Sequence, residues 1–99
     1  SPLMMQVTWQ QIRRARTMGI GDELRMERDL VRHAFHPHHL HRRCAESDTV
    51  EGIRALAVDK DHQPRWMHAG LAEVTSEQVQ GFFESPWPPS AHPLADLKD

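Results

Sequence analysis

Apolar side chains recur at intervals of three to four residues from Pro2 to about Met18, at Met5, Trp9, Ile12 and Ala15/Met18, with arginines and glutamines between them. That spacing predicts an amphipathic helix. Ser1 is placed to cap it, and Pro2 takes the first-turn position where a missing N–H costs nothing. Gly19-Ile20-Gly21 supplies a stop, since glycines so close favour left-handed caps and turns. A second helix is expected from Asp22, which would serve as N-cap with Glu23 in the first turn, and it should bury Leu24, Val31 and Ala34. Glu27 shares that stripe and is read as its wet edge; the sharper alternative is a partly buried carboxylate paired with an arginine.

Pro37 ends or kinks the second helix. A third is expected from Asp48 or Thr49, where Asp48 and Glu51 approximate a capping box, and it should bury Val50, Ile53, Leu56 and Ala57. Gly52 within it costs about 1 kcal/mol against alanine and marks a close neighbouring backbone. Asp59-Lys60-Asp61-His62-Gln63-Pro64 reads as a charged turn, after which Trp66 and Met67 return the chain to apolar surface. Thr75-Ser76-Glu77-Gln78 offers a capping box with Val74 as hydrophobic staple, opening a last helix from Ser76 to about Glu84 that buries Val79, Phe82 and Phe83. Ser85-Pro86-Trp87-Pro88-Pro89 terminates it. The expected fold class is therefore all-α, about four short helices with no strand and no repeat. Residues 1–84 form the helical part, and residues 85–99 a Pro-rich extended or disordered tail.

The chain has 99 residues, enough for one small domain with a thin core. A hydrophobic fraction of 38% and a mean hydropathy of -0.66 imply that many faces stay wet or meet a partner. Net charge is -2, and no run is basic enough to track phosphates, so no nucleic acid partner is expected. No apolar run approaches the roughly 20 residues that cross a bilayer, so no membrane partner is expected either. Cys44 is the single cysteine, which excludes an internal disulfide and points to a reducing compartment, bacterial cytoplasm or mitochondrial matrix. The opening Ser1-Pro2-Leu3 is no signal peptide, and a chain that enters an amphipathic pattern at once reads as an excised segment of a larger protein.

Candidate chemistry concentrates in two places. His33, His36, His38, His39 and His41, followed by Arg42, Arg43 and Cys44, include imidazole pairs at spacings a metal could use. Pro37 interrupts the helix that would align them, so this stretch is read as a solvated connection and no metal site is assigned. Cys44 beside these histidines is read as a free surface thiol rather than an activated nucleophile, because no oxyanion-binding element accompanies it. The second place is the third helix and its exit. Glu51 reads as a structural cap, with general base as the alternative. Lys60 either pairs with Asp59 or Asp61 or reaches outward to a phosphate. No catalytic residue is assigned.

Glu51-Gly52, Ala55, Lys60, Pro64 and Trp66 together resemble the C-terminal signature of the crotonase superfamily of enoyl-CoA hydratases and isomerases. Asp59-Lys60-Asp61 with Pro64-Arg65-Trp66 is more similar to the branch of the 3-hydroxyisobutyryl-CoA hydrolases. Ser1-Pro2, Leu24-Arg25-Met26-Glu27 and Leu71-Ala72-Glu73-Val74-Thr75 agree in order. Departures are Arg28 where that branch usually has a tyrosine, Asp48-Thr49-Val50 where it has Asp-Phe, a longer connection before Asp48, and a lysine one residue further from Glu-Gly than in crotonases.

The resemblance implies an upstream crotonase-fold catalytic domain, a spiral of sheet and helix whose peptide N–H groups hold the thioester oxygen. It implies an acyl-CoA substrate and a homo-oligomer. The tail would cover the active site, with Lys60 contacting coenzyme A and no covalently bound cofactor. The expected function is then the C-terminal part of an acyl-CoA thioester hydrolase in valine catabolism. Two rivals stand beside it: the C-terminal part of an enoyl-CoA hydratase/isomerase, and a stand-alone helical interaction module associating through Met4/Met5, Trp9 and Ile12.

Overall fold

A computed structural model describes residues 1–98; Asp99, the last residue of the expected tail, lies outside them. Four α-helices follow in order: α1 (Pro2–Ala15), α2 (Ile20–Phe35), α3 (Asp48–Ile53) and α4 (Ser76–Gly81). No strand occurs among the described residues, so the architecture is all-α as expected. None of the helices is long and apolar enough to cross a membrane.

Local chemistry explains the helix starts. The Ser1 hydroxyl accepts from Met4 N–H at 3.1 Å and donates to Asp48 Oδ2 at 2.6 Å, so one residue caps α1 and ties it to the start of α3. Thr75 and Gln78 form the expected capping box of α4, with Val74 packed on the core beside them. Two starts differ from expectation. Helix α2 begins at Ile20 with Gly19 as N-cap, because a backbone carbonyl suffices there; Asp22 falls inside the first turn and pairs with Arg25 at 2.9 Å. Ser47 rather than Asp48 caps α3, accepting from Val50 N–H at 3.2 Å, which frees Asp48 to accept from Met67 N–H at 2.9 Å.

The core forms where α1, α2 and α4 meet: Leu3 and Val7, Met26 and Leu30, Val79 and Phe82. Phe82 is 1% exposed and follows α4 directly. On α1 this corrects the expected stripe, for Met5, Trp9 and Ile12 face outward while Leu3 and Val7 are buried. On α2 the buried positions are Gly21, Met26, Asp29 and Leu30, with Val31 outside and Glu27 exposed at the wet edge. A radius of gyration of 14.5 Å exceeds the roughly 13 Å of a compact chain this long, so the body is elongated and its core thin.

Between α2 and α3 the histidine-rich connection forms two short 3-10 turns, His38–Leu40 and Cys44–Glu46. Helix α3 then widens into a π-turn, Arg54–Val58, closed by Asp59 N–H donating to Arg54 O at 2.8 Å. Such widened turns are rare and cluster at functional sites. After α4 the last segment carries one 3-10 turn, Pro89–Ala91, and lies along α2. Arg25 donates to Leu94 O and Leu97 O, the Arg28 guanidinium stacks 5.0 Å from the Trp87 ring centre, and Asp29 accepts from His92 at 2.8 Å. Arg28, a departure from the resemblance, thus has a role within this chain.

Candidate functional site

Lys60 and His62 both adopt left-handed backbone conformations, with φ of 55° each, and bend the charged turn back over α3. Three carboxylates thereby converge on Arg54. Its guanidinium donates to both oxygens of Glu51 at 2.8 and 2.7 Å, and through Nη1 to Asp59 at 2.9 Å and Asp61 at 2.7 Å. Glu51 also accepts from Arg65 N–H at 2.8 Å. Glu51 is therefore a structural residue, but it acts as the clamp of the turn and not as a cap of α3. With its fifth N–H directed at the Gln63 carbonyl at 3.4 Å, Arg54 has no donor left for a phosphate.

With Asp59 and Asp61 turned inward to Arg54, Lys60 makes no ion pair among the described residues and stands exposed. The local pairing read as one option for Lys60 is not formed. This hub was invisible in the sequence, since nothing in Arg54 itself announces that two left-handed residues will aim both aspartates at it.

On the other side of Pro64 lies an open cleft of about 560 Å3, lined chiefly by apolar groups that include Met4, Gly52, Ile53, Leu56 and Trp66. Gly52 has a packing reason: a Cβ there would come within 3.2 Å of Trp66 Cη2. The close neighbour is thus an aromatic ring and not the backbone expected. Ile53 and Leu56 are 48% and 66% exposed, and Ala57 is exposed too, against the expectation that all three are buried. Ala55 takes the inner position instead, because the π-turn rotates the stripe outward. His62, two residues from Lys60, joins the cleft lining.

The Glu51 clamp sets its electrostatics. The Arg54 hydrogen bonds, then the Arg65 N–H, hold the Glu51 carboxyl down to about 2 from an ordinary 4.5. Arg54 and the Gln63 N–H likewise lower Asp61. A carboxylate so held cannot shuttle protons near neutral pH. Because the folded value lies below the ordinary one, the clamp's contribution is complete above about pH 4.5 and is lost as pH falls through about 2. Carbon-13 NMR of the Glu51 carboxyl should titrate near 2, with exchange of the Arg65 amide accelerating over the same range; a midpoint near 4.5 would contradict the clamp.

Elsewhere, Ser85, Asp29 and His92 come together, but not as a catalytic relay. The Ser85 hydroxyl donates at 3.3 Å to the Asp29 oxygen that also accepts from His92, so no imidazole withdraws the serine proton. Of the histidine-rich stretch, His33 donates to Glu84 O and His39 to Gln78 O, while His36 and His38 stack edge-on at 6.0 Å. Among the described residues no three His, Cys, Asp or Glu side chains are grouped to hold a metal. Cys44 is a free, half-buried thiol.

Comparison with known proteins bears on these features. The profile of a family described as Enoyl-CoA hydratase/isomerase matches residues 1–83. The chain is similar to the mitochondrial 3-hydroxyisobutyryl-CoA hydrolase of Gallus gallus, 36% identical over 84 residues, which is 85% of this chain and 20% of that protein. Identity is 34% to the 3-hydroxyisobutyryl-CoA hydrolase-like protein 5 of Arabidopsis thaliana, over 85% of this chain and 20% of the relative. It is 32% to the mitochondrial 3-hydroxyisobutyryl-CoA hydrolase of Homo sapiens, over 86% and 20%. The chain spans about 20% of the length of these relatives. No solved structure matches it significantly.

Proposed function

Since the chain belongs to the enoyl-CoA hydratase/isomerase family, we propose that it is the C-terminal helical part of an acyl-CoA thioester hydrolase of the 3-hydroxyisobutyryl-CoA type. The substrates are short branched 3-hydroxyacyl-CoA thioesters of valine breakdown, handled in the mitochondrial matrix or the bacterial cytoplasm. The observation that carries this reading is the match of the whole helical part to hydrolases five times its length, joined to an apolar cleft left open in this chain alone.

The cleft and the outward stripe of Ile53, Leu56 and Val58 present apolar surface that a lone protein rarely leaves contiguous. An upstream crotonase-fold domain covers it. That domain supplies the peptide N–H groups that stabilise the thioester oxyanion, and the catalytic residues lie there. This chain closes the site from above, and its outward Met5, Trp9 and Ile12 face supports a homo-oligomer. Coenzyme A enters as part of the substrate, with no cofactor covalently bound. Lys60, exposed, without an ion pair among the described residues and two residues from cleft-lining His62, contacts a coenzyme A phosphate as a mobile point charge.

In the complete protein, Lys60→Ala is expected to raise KM by about three- to tenfold with kcat nearly unchanged, the signature of lost uniform binding at a solvent-exposed contact. An unchanged KM removes Lys60 from the site. The family also includes hydratases, so the same preparation is offered crotonyl-CoA and 3-hydroxyisobutyryl-CoA. Thiol release from the second supports the hydrolase, whereas water addition to the first without thiol release supports the hydratase.

A further inference from the structure

The function proposed above makes no use of the histidine-rich connection, yet that connection is seated with care. His39 Nε2 donates to the carbonyl of Gln78 at 3.2 Å, and His68 Nε2 donates to the Gln78 side-chain oxygen at 2.7 Å. The same side-chain oxygen accepts from Thr75 N–H at 3.0 Å in the capping box of α4. Gln78 therefore joins three segments: the His38–Leu40 turn, the stretch at His68, and α4.

The His39 ring stands edge-on to Phe82 at 4.6 Å and to His33 at 5.1 Å. It also fills the space above Gly81, where any Cβ would overlap it. His39 Nδ1 is buried without a hydrogen-bond partner among the described residues, and so is His68 Nδ1.

With Nε2 donating to a carbonyl, the neutral His39 ring keeps only a lone pair on Nδ1, which burial tolerates. A proton there would create a buried cationic N–H with no acceptor, and that is a far larger penalty. The charged and titratable groups facing it offer little relief. From α2 comes His33, a second potential cation, whose Nε2 already donates to Glu84 O at 2.6 Å. From α4 and its exit come the neutral Gln78 and a single acid, Glu84. Across Gln78 lies His68, and along its own turn lie His38 and His41.

We propose that the seam between the His38–Leu40 turn and α4 is an acid-sensitive catch, held shut by neutral His39 and opened when that ring is protonated. Opening swings the connection off Gln78 and Gly81 and uncovers one flank of Phe82. Burial first, and then the neighbouring His33, push the His39 imidazole below its ordinary 6.5, outweighing the Gln78 carbonyl and Glu84, which act the other way. For a histidine whose folded value is depressed, the neutral form is what the fold favours. The catch is thus fully closed above about pH 6.5 and weakens as pH falls from there through the folded value.

Amide hydrogen exchange of the native gene product, corrected for intrinsic rates, tests this in residues 36–44 and 75–84. Between about pH 7.5 and about pH 5.5, where imidazoles take up protons, protection of these segments should fall about tenfold while that of α1 holds. His39→Gln keeps a donor for the Gln78 carbonyl and should make the response flat. Gly81→Ala forces the ring out and should leave the seam open at both pH values. An unchanged wild-type protection, or an equal acid response in His39→Gln, overturns the catch. Should both variants misfold, the ring titration of wild-type His39 by NMR decides: a midpoint below 6.5 supports the proposal and one at or above 6.5 overturns it.

Discussion

Replacing Phe82 with alanine should remove about 3–5 kcal/mol of stability, the range for deleting a buried aromatic ring. The ring is 1% exposed and belongs to a core with only five other buried members, Leu3, Val7, Met26, Leu30 and Val79. It also receives the edges of His39 and, at 6.1 Å, His33. A chain of this size holds about 5–15 kcal/mol in total, so the loss takes much of what the fold has. A thin core makes the cavity harder to refill, because few neighbours can move into it. Urea unfolding followed by far-UV circular dichroism measures the change, with Phe82→Leu as a milder companion losing about 1 kcal/mol. A loss below about 1 kcal/mol for Phe82→Ala would mean that the core described here does not hold α1, α2 and α4 together.

The second large effect concerns activity. The 99-residue chain alone should hydrolyse acyl-CoA thioesters no faster than buffer, whereas the complete protein should exceed the uncatalysed rate by at least about a millionfold. The reason lies in how the reactive side chains are engaged. Glu51 is held down to about 2 by Arg54 and Arg65 and is no base at neutral pH. Arg54 is saturated by three carboxylates and the Gln63 carbonyl. Ser85 donates to an aspartate instead of an imidazole. None of these is poised to attack a thioester carbonyl or to stabilise its oxyanion.

The helices themselves were legible wherever a local rule suffices. Ser1 with Pro2, the Thr75–Gln78 box and the stop at Pro37 act over one turn, and each does in the structure what its chemistry dictates. The Val79 and Phe82 positions followed from the short apolar stripe of α4. Burial on α1 and after α3 was not legible, and for one physical reason. Both elements carry more apolar positions than a single small core can take, and periodicity shows that a face is apolar without showing what covers it. Met5, Trp9, Ile12, Ile53 and Leu56 have the spacing of buried residues yet stand exposed in this chain. On the proposed reading, they are written for the larger protein.

Contacts that span the chain left no local trace either. Asp29 and His92 lie 63 residues apart, so nothing near either one signals that the last segment lies along α2. Of the candidate site, the sequence marked Glu51, Gly52, Lys60, Pro64 and Trp66 but not the hub that organises them. Arg54 becomes a hub only once Lys60 and His62 turn left-handed, a conformation that residues other than glycine rarely take.

The central claim is that these helices complete a catalytic body encoded ahead of them, and one comparison addresses it directly. Thiol release from 3-hydroxyisobutyryl-CoA is followed for the 99-residue chain and for the same chain joined in one polypeptide to the upstream portion that its relatives carry. No release by the chain alone and steady turnover by the joined protein is the predicted result. Turnover by the chain alone, or none by the joined and folded protein, would contradict it.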